Sequence, residues 1–118
     1  VISTGDAPHL RLRVDCGPRR LGPGKVALLE AIGREGSISA AARSLAMSYR
    51  RAWELVEDLN TTFGQPVAST AAGGSRGGGA VLTPLGQEVI AIFRTVERDA
   101  AAAAAPALSR LAALLPPG

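Results

Sequence analysis

The run Gly36-Ser37-Ile38-Ser39-Ala40-Ala41-Ala42-Arg43-Ser44-Leu45-Ala46-Met47-Ser48-Tyr49-Arg50-Arg51-Ala52-Trp53-Glu54-Leu55 carries the strongest structural signal in this chain of 118 residues. Ser39 suits the N-cap of a short helix over Ala40 to Leu45, because its hydroxyl can satisfy a free amide of the first turn. Ala46-Met47-Ser48 interrupts that helix, and Ser48 can cap a second one from Tyr49 to about Asn60. Two short helices joined by such a break form a helix-turn-helix, whose second helix enters the DNA major groove. Helices that cross this closely need small or apolar residues at the crossing, and Ala42, Leu45, Met47, Ala52 and Leu55 supply them. Position 46 of this turn is often Gly; here it is Ala46.

On the C-terminal side, Val67 to Thr70 reads as a short strand and Ala80 to Thr83 as its return, with five glycines among residues 71–80 between them. Beside a helix-turn-helix, this hairpin reads as a wing. The glycine-rich tip invites a phosphate-loop reading, but no G-x-x-x-x-G-K-[ST] or G-x-G-x-x-G spacing is present. Thr83 as N-cap and Pro84 at the first helical position open the last segment. Leu85, Val89, Ile92, Val96, Ala100, Ala103, Ala107, Leu111 and Leu114 recur at a mean of about 3.6 residues, the period of one long helix. Pro106 is expected to kink that helix or end it near residue 105.

On the N-terminal side, Pro23 sits well at the start of an amphipathic helix carrying Val26, Leu28, Leu29 and Ile32, which Gly33 and Gly36 end. Cys16 to Gly24, with three glycines and two prolines, reads as a loop, and the alternation Leu10-Arg11-Leu12-Arg13-Val14 as a half-buried strand. Residues 1–9 lack periodicity and read as a flexible leader. The expected organisation is a leader at 1–9, a winged helix-turn-helix at 10–83, and a C-terminal dimerisation helix and tail at 84–118. The fold class is mainly α with a small β component.

At 100° per residue, Ala52, Leu55, Val56 and Leu59 share the face of the second helix that must pack inward, and Arg50, Glu54 and Glu57 stand opposite. Arg50, in the first turn, is the candidate for a bidentate contact to guanine, and Glu54 could accept from cytosine N4. Ser48, Tyr49 and Arg51 suit contacts to the backbone, whereas Glu57 and Asp58 must be kept away from phosphates. Trp53 reads as a partly buried anchor. Ser75 and Arg76 in the wing tip complete the DNA-contacting set.

Composition narrows the function. The chain is 47% hydrophobic and 19% charged, and 22 of its 55 apolar residues are Ala, so its core depends on close backbone approach. A single Cys16 excludes an internal disulfide and a cysteine zinc site, and a lone His9 leaves little for catalysis or metal chemistry. No catalytic residues and no cofactor are assigned. No apolar run reaches the roughly 18 residues of a membrane span, and no signal peptide is visible, so a cytoplasmic setting is expected. There are 13 basic residues against 10 acidic, and all but Lys25 of the basic ones are Arg. Residues 1–53 carry a net +5 and residues 54–118 a net −2. An uneven basic charge without catalytic equipment points first to a polyanion, and equally on charge alone to an arginine-rich composition that merely solvates the surface.

Gly36-Ser37-Ile38-Ser39, Ser48-Tyr49-Arg50-Arg51-Ala52-Trp53, Leu59-Asn60, Gly73-Gly74, Gly77-Gly78-Gly79-Ala80-Val81-Leu82-Thr83 and Gly86 together resemble the N-terminal domain of the ModE molybdate-responsive regulators, as does Gly22 to Ile32 upstream. The resemblance implies a LysR-type winged helix-turn-helix that dimerises and binds double-stranded DNA near genes of molybdenum metabolism. ModE regulators sense molybdate in C-terminal oxyanion-binding domains. The chain reads as a fragment or a single-domain relative without that sensor, and molybdate is not expected to bind residues 1–118. Val67-Ala68-Ser69-Thr70 also lacks the acidic residue expected before the wing. Two function readings stand: a sequence-specific, non-enzymatic transcriptional regulator, or a winged-helix module that binds protein without DNA. For the tail, either the stripe beyond Arg98 pairs two copies, setting recognition helices about one DNA turn (roughly 34 Å) or a multiple of it apart, or Pro106 turns it back onto its own domain.

Overall fold

The structure, a computed structural model, describes residues 7–70 and 79–117. Its elements run β1 (Val14–Cys16), β2 (Arg19–Leu21), α1 (Pro23–Glu35), α2 (Ile38–Ser44), α3 (Tyr49–Phe63), β3 (Ala68–Thr70), β4 (Ala80–Leu82) and α4 (Pro84–Leu114). Each strand pair is a separate antiparallel two-stranded sheet. The architecture is a winged helix-turn-helix with a long C-terminal helix, mainly α as expected.

One core lies where α1, α2 and α3 meet. Val26, Leu28, Leu29, Ile32, Ala41, Ala42, Ala52 and Leu59 are buried there, with Val67 of the loop before β3 and Val89 and Phe93 of α4. The buried alanines of α2 and α3 let those helices cross closely. Gly86 does the same for α4: a Cβ on it would overlap the Val67 carbonyl oxygen. Thr83 ties this junction by accepting from the Gly86 amide at 3.1 Å and donating its hydroxyl to the Pro66 carbonyl at 2.8 Å.

Several local expectations are corrected. The segment read as a loop from Cys16 to Gly24 contains a hairpin, and the strand expected at Leu10 to Val14 lies instead at Val14–Cys16. Cys16 pairs with Arg19 across the two-residue turn Gly17-Pro18, so the pairing starts at the turn and lasts only three residues. Gly17 takes φ +63°, and Pro favours the negative φ that a hairpin turn needs next. Ser37, not Ser39, caps α2: its hydroxyl accepts from the Ala40 amide at 3.0 Å, which lets Ile38 enter the core as the first helical residue. Gly36 at φ +80° ends α1, while Gly33 lies inside that helix, where a Cβ would press on Leu82 of β4. The second helix of the motif runs past Asn60 to Phe63, because the left-handed residue that stops it is Gly64 at φ +68°. Asn60 instead accepts the Val67 amide at 2.8 Å.

Pro106 does not end α4, which continues to Leu114. Its ring deprives the Ala102 carbonyl of a helical partner, but Ala102 is exposed and water can supply one, while the Ala-rich flanks favour helix. No residue beyond Phe93 in α4 is buried, so the tail is not folded back onto the domain.

Candidate nucleic-acid interface

The helix-turn-helix is built as its residue types require. Ala42 and Ala52 are buried, and Leu45, Met47 and Leu55 are half-buried against the same core. The turn is closed by the Met47 amide donating to the Ala42 carbonyl at 3.0 Å. Ala46 sits at φ +55°, the left-handed conformation that explains why glycine is common at this place. Ser48 then caps α3, its hydroxyl accepting from the Arg51 amide at 3.0 Å. The remaining free amides and the helix dipole make this end of α3 favourable to anions.

The buried side of α3 holds Ala52, Val56 and Leu59, with Leu55 half-buried beside them. Ser48, Tyr49, Arg50, Arg51 and Glu54 are all exposed. The Arg50 side chain is 90% exposed and lies 3.6 Å from Glu54 across one helical turn, a solvent-screened pair worth roughly 0.3–0.5 kcal/mol. Tyr49 and Trp53 are 55% and 45% exposed and stand one turn apart. Trp53 is therefore less an anchor than expected, and offers an aromatic flank beside Arg50. Ser75 and Arg76 lie outside the described residues. The strands that carry the wing are placed as read, with Ala68 opposite Leu82 and Thr70 opposite Ala80. The Ala80 amide donates to the Gly36 carbonyl at 2.8 Å, which ties the wing to the end of α1.

Two polar clusters were not foreseen. Asp58 of α3 accepts from both Arg19 of β2 and Lys25 of α1, so the N-terminal hairpin is pinned to the recognition helix. The Lys25 hydrogen bond, aided by Arg19 and opposed by partial burial, holds the Asp58 carboxyl below its usual range. The Asp58 charge is thereby matched by two cations, whereas Glu57 stays exposed. A signal was available: Asp58 lies about 60° around the helix from Leu55, on the border of the buried stripe. The second cluster joins α1 to α4. Arg94 donates to Glu30 through Nε at 3.1 Å and Nη2 at 2.6 Å, and to Glu97 through Nη1 at 2.6 Å. The Arg94 hydrogen bonds lower the Glu30 carboxyl and the two glutamates raise the guanidinium. Helix spacing pairs Arg94 with Glu97 three residues on, but no spacing rule pairs Arg94 with Glu30. Among the described residues no group of three or more His, Cys, Asp or Glu could hold a metal ion.

A capped helix presenting an arginine outward, set against a tight turn and followed by a two-stranded wing, defines a winged helix-turn-helix protein. The family model of bacterial regulatory helix-turn-helix proteins, lysR family, matches residues 24–87, and the chain belongs to that family. It is 51% identical over 82 residues to the molybdenum-pterin-binding protein MopB of Rhodobacter capsulatus, covering 70% of this chain and 30% of that protein. It is 41% identical over 73 residues to the molybdenum transport protein ModE of Azotobacter vinelandii, covering 62% and 27%. Against the DNA-binding transcriptional dual regulator ModE of Escherichia coli (strain K12) it is 38% identical over 71 residues, covering 60% and 27%. The chain thus spans under a third of the length of these curated relatives, and its winged domain is ModE-like. No described helix is long and apolar enough to cross a membrane.

Proposed function

We propose that this chain acts as a sequence-specific DNA-binding, ModE-like transcriptional regulator linked to molybdenum, in the cytoplasm, as a dimer and without enzymatic activity. The observation that carries the reading is Arg50: it is 90% exposed in the first turn of a capped helix whose opposite face is buried. A guanidinium in that place can reach the O6 and N7 acceptors of guanine in the major groove. Ser48, Tyr49 and Arg51 contact the phosphates alongside, Glu54 selects cytosine, and Ser75 and Arg76 meet the backbone from the wing. The names of the relatives support the molybdenum link, and this reading assigns molybdate no site on residues 1–118. A gel-shift titration across salt tests it: affinity must fall steeply as salt rises, by about 0.9 log units per log unit of salt for each phosphate engaged. Absence of a shift on any duplex at low salt would leave the module as a protein-binding winged helix.

A further inference from the structure

The β1–β2 hairpin brings cations beside the recognition helix that the helix-turn-helix itself does not supply. An open concavity of about 420 Å³ lies between them, with Met47 and Leu55 among its lining and Arg13, Arg20, Lys25 and Arg51 around it. These cations differ in how far they are committed. Lys25 is spent on Asp58 and on the Arg20 carbonyl, the latter at 2.7 Å, and Arg13 lies 3.0 Å from the exposed carboxylate of Asp15. Glu54, the acid nearest to Arg51 in the sequence, turns to Arg50. Arg20 and Arg51 are both exposed, and neither pairs with a carboxylate among the described residues. Two guanidiniums from separate elements, unpaired among the described residues, line one hollow, and a phosphate seated there would accept their forked donors. Arg51 belongs to the first turn of α3, so the hollow continues the face that reads DNA.

We propose that this concavity seats a DNA backbone phosphate through Arg20 and Arg51, which makes the β1–β2 hairpin a second phosphate clamp beside the recognition helix. The inference rests on the DNA-binding reading above and adds a contact to it. Asp58 gives the clamp its rigidity, because Arg19, the neighbour of Arg20 in β2, is held there.

The test is the salt dependence of binding to a labelled random-sequence duplex of about 30 base pairs, read by fluorescence anisotropy between 50 and 200 mM salt. Arg20→Gln removes one of the two cations seated on that phosphate, and each such cation lost lowers the salt slope by about one. The fall in affinity over that range should become about threefold smaller, equally for any duplex sequence. Arg20→Lys keeps the charge and should keep the wild-type slope. Arg110→Gln, more than four turns past the last buried residue of α4, alters net charge equally and should leave the slope unchanged. Circular dichroism of each variant checks that the fold is retained, as expected for exposed side chains. Wild-type slope in Arg20→Gln, or an equal change in Arg110→Gln, overturns the clamp and leaves the DNA-binding reading standing. Failure of the wild-type chain to bind any duplex at 50 mM salt overturns both.

Discussion

Arg50 and Arg51 are adjacent in the sequence, yet 100° of helix turn separates the directions they face. Arg50 projects away from the core, and Arg51 borders the hollow under the N-terminal hairpin. Arg50→Ala should cost roughly 1–3 kcal/mol of operator binding and relax the preference at one base pair, whereas Arg51→Ala should weaken every sequence alike. A binding-site selection on both variants separates these outcomes, and unchanged discrimination in Arg50→Ala would move the recognition face elsewhere. Two backbone positions give stability tests. Ala46 holds a left-handed φ of +55°, so Ala46→Gly should stabilise the domain by about 0.5–1 kcal/mol despite the freer unfolded chain. At Gly86 the opposite holds. Ala there would drive a methyl group into the Val67 carbonyl, and thermal melting should show a loss of about 3 kcal/mol or more.

At the scale of elements, two carboxylates fasten helices that otherwise touch through apolar side chains: Asp58 joins α3 to the hairpin and α1, and Glu30 joins α1 to α4. Folding lowers both carboxyls from ordinary values near 3.8 and 4.5, through Lys25 for Asp58 and Arg94 for Glu30. A lowered carboxylate adds stability that is complete above its unfolded value and disappears as pH falls through its folded one. Asp58→Asn and Glu30→Gln should each cost about 1 kcal/mol at neutral pH, solvent screening included. Each should also flatten the fall in stability below about pH 4.5, as seen by urea titration at a series of pH values. In α4, Pro106→Ala restores an amide donor to Ala102. Hydrogen exchange of the neighbouring amides should slow, with local stabilisation of up to about 3 kcal/mol.

At the scale of the molecule, α4 extends well past the body it starts in. Its last buried residue is Phe93, yet it runs to Leu114, and the whole reaches 56 Å along its longest axis. Val96, Leu111 and Leu114 of the apolar stripe are exposed, Leu114 at 81%, and nothing among the described residues covers them. A second copy related by a two-fold axis would bury that stripe and align two recognition helices on one face of DNA. The 12.0 kDa chain is accordingly expected to sediment at twice its mass at micromolar concentration, and a chain ending at Arg98 at its monomer mass. A monomeric full chain would refute the α4 dimer, and a dimeric shortened one would place the interface in the N-terminal elements.

Some of this was legible without coordinates because its cause is local. The cap at Ser48, the small residues at the helix crossing, the inward stripe of α3 and the Thr83-Pro84 helix start each depend on residues within a few positions of one another, where helix period and capping chemistry apply. The wing's strands followed from turn-forming glycines between two apolar runs, and the outward direction of Arg50 from angle alone. What needed the tertiary structure involved distance along the chain or competition between local options. Ser37 and Ser39 are both competent caps, and the choice fell to Ser37 because Ile38 then reaches the core. Pro106 is locally a helix breaker, but its position on an exposed, Ala-rich segment lets the helix continue. Asp58 with Arg19 and Lys25, and Arg94 with Glu30, are pairs whose partners sit on other elements, which only the packed backbone brings within hydrogen-bonding reach. Local chemistry therefore determined the second helix of the motif and its exposed arginine, while packing decided which charges are paired among the described residues.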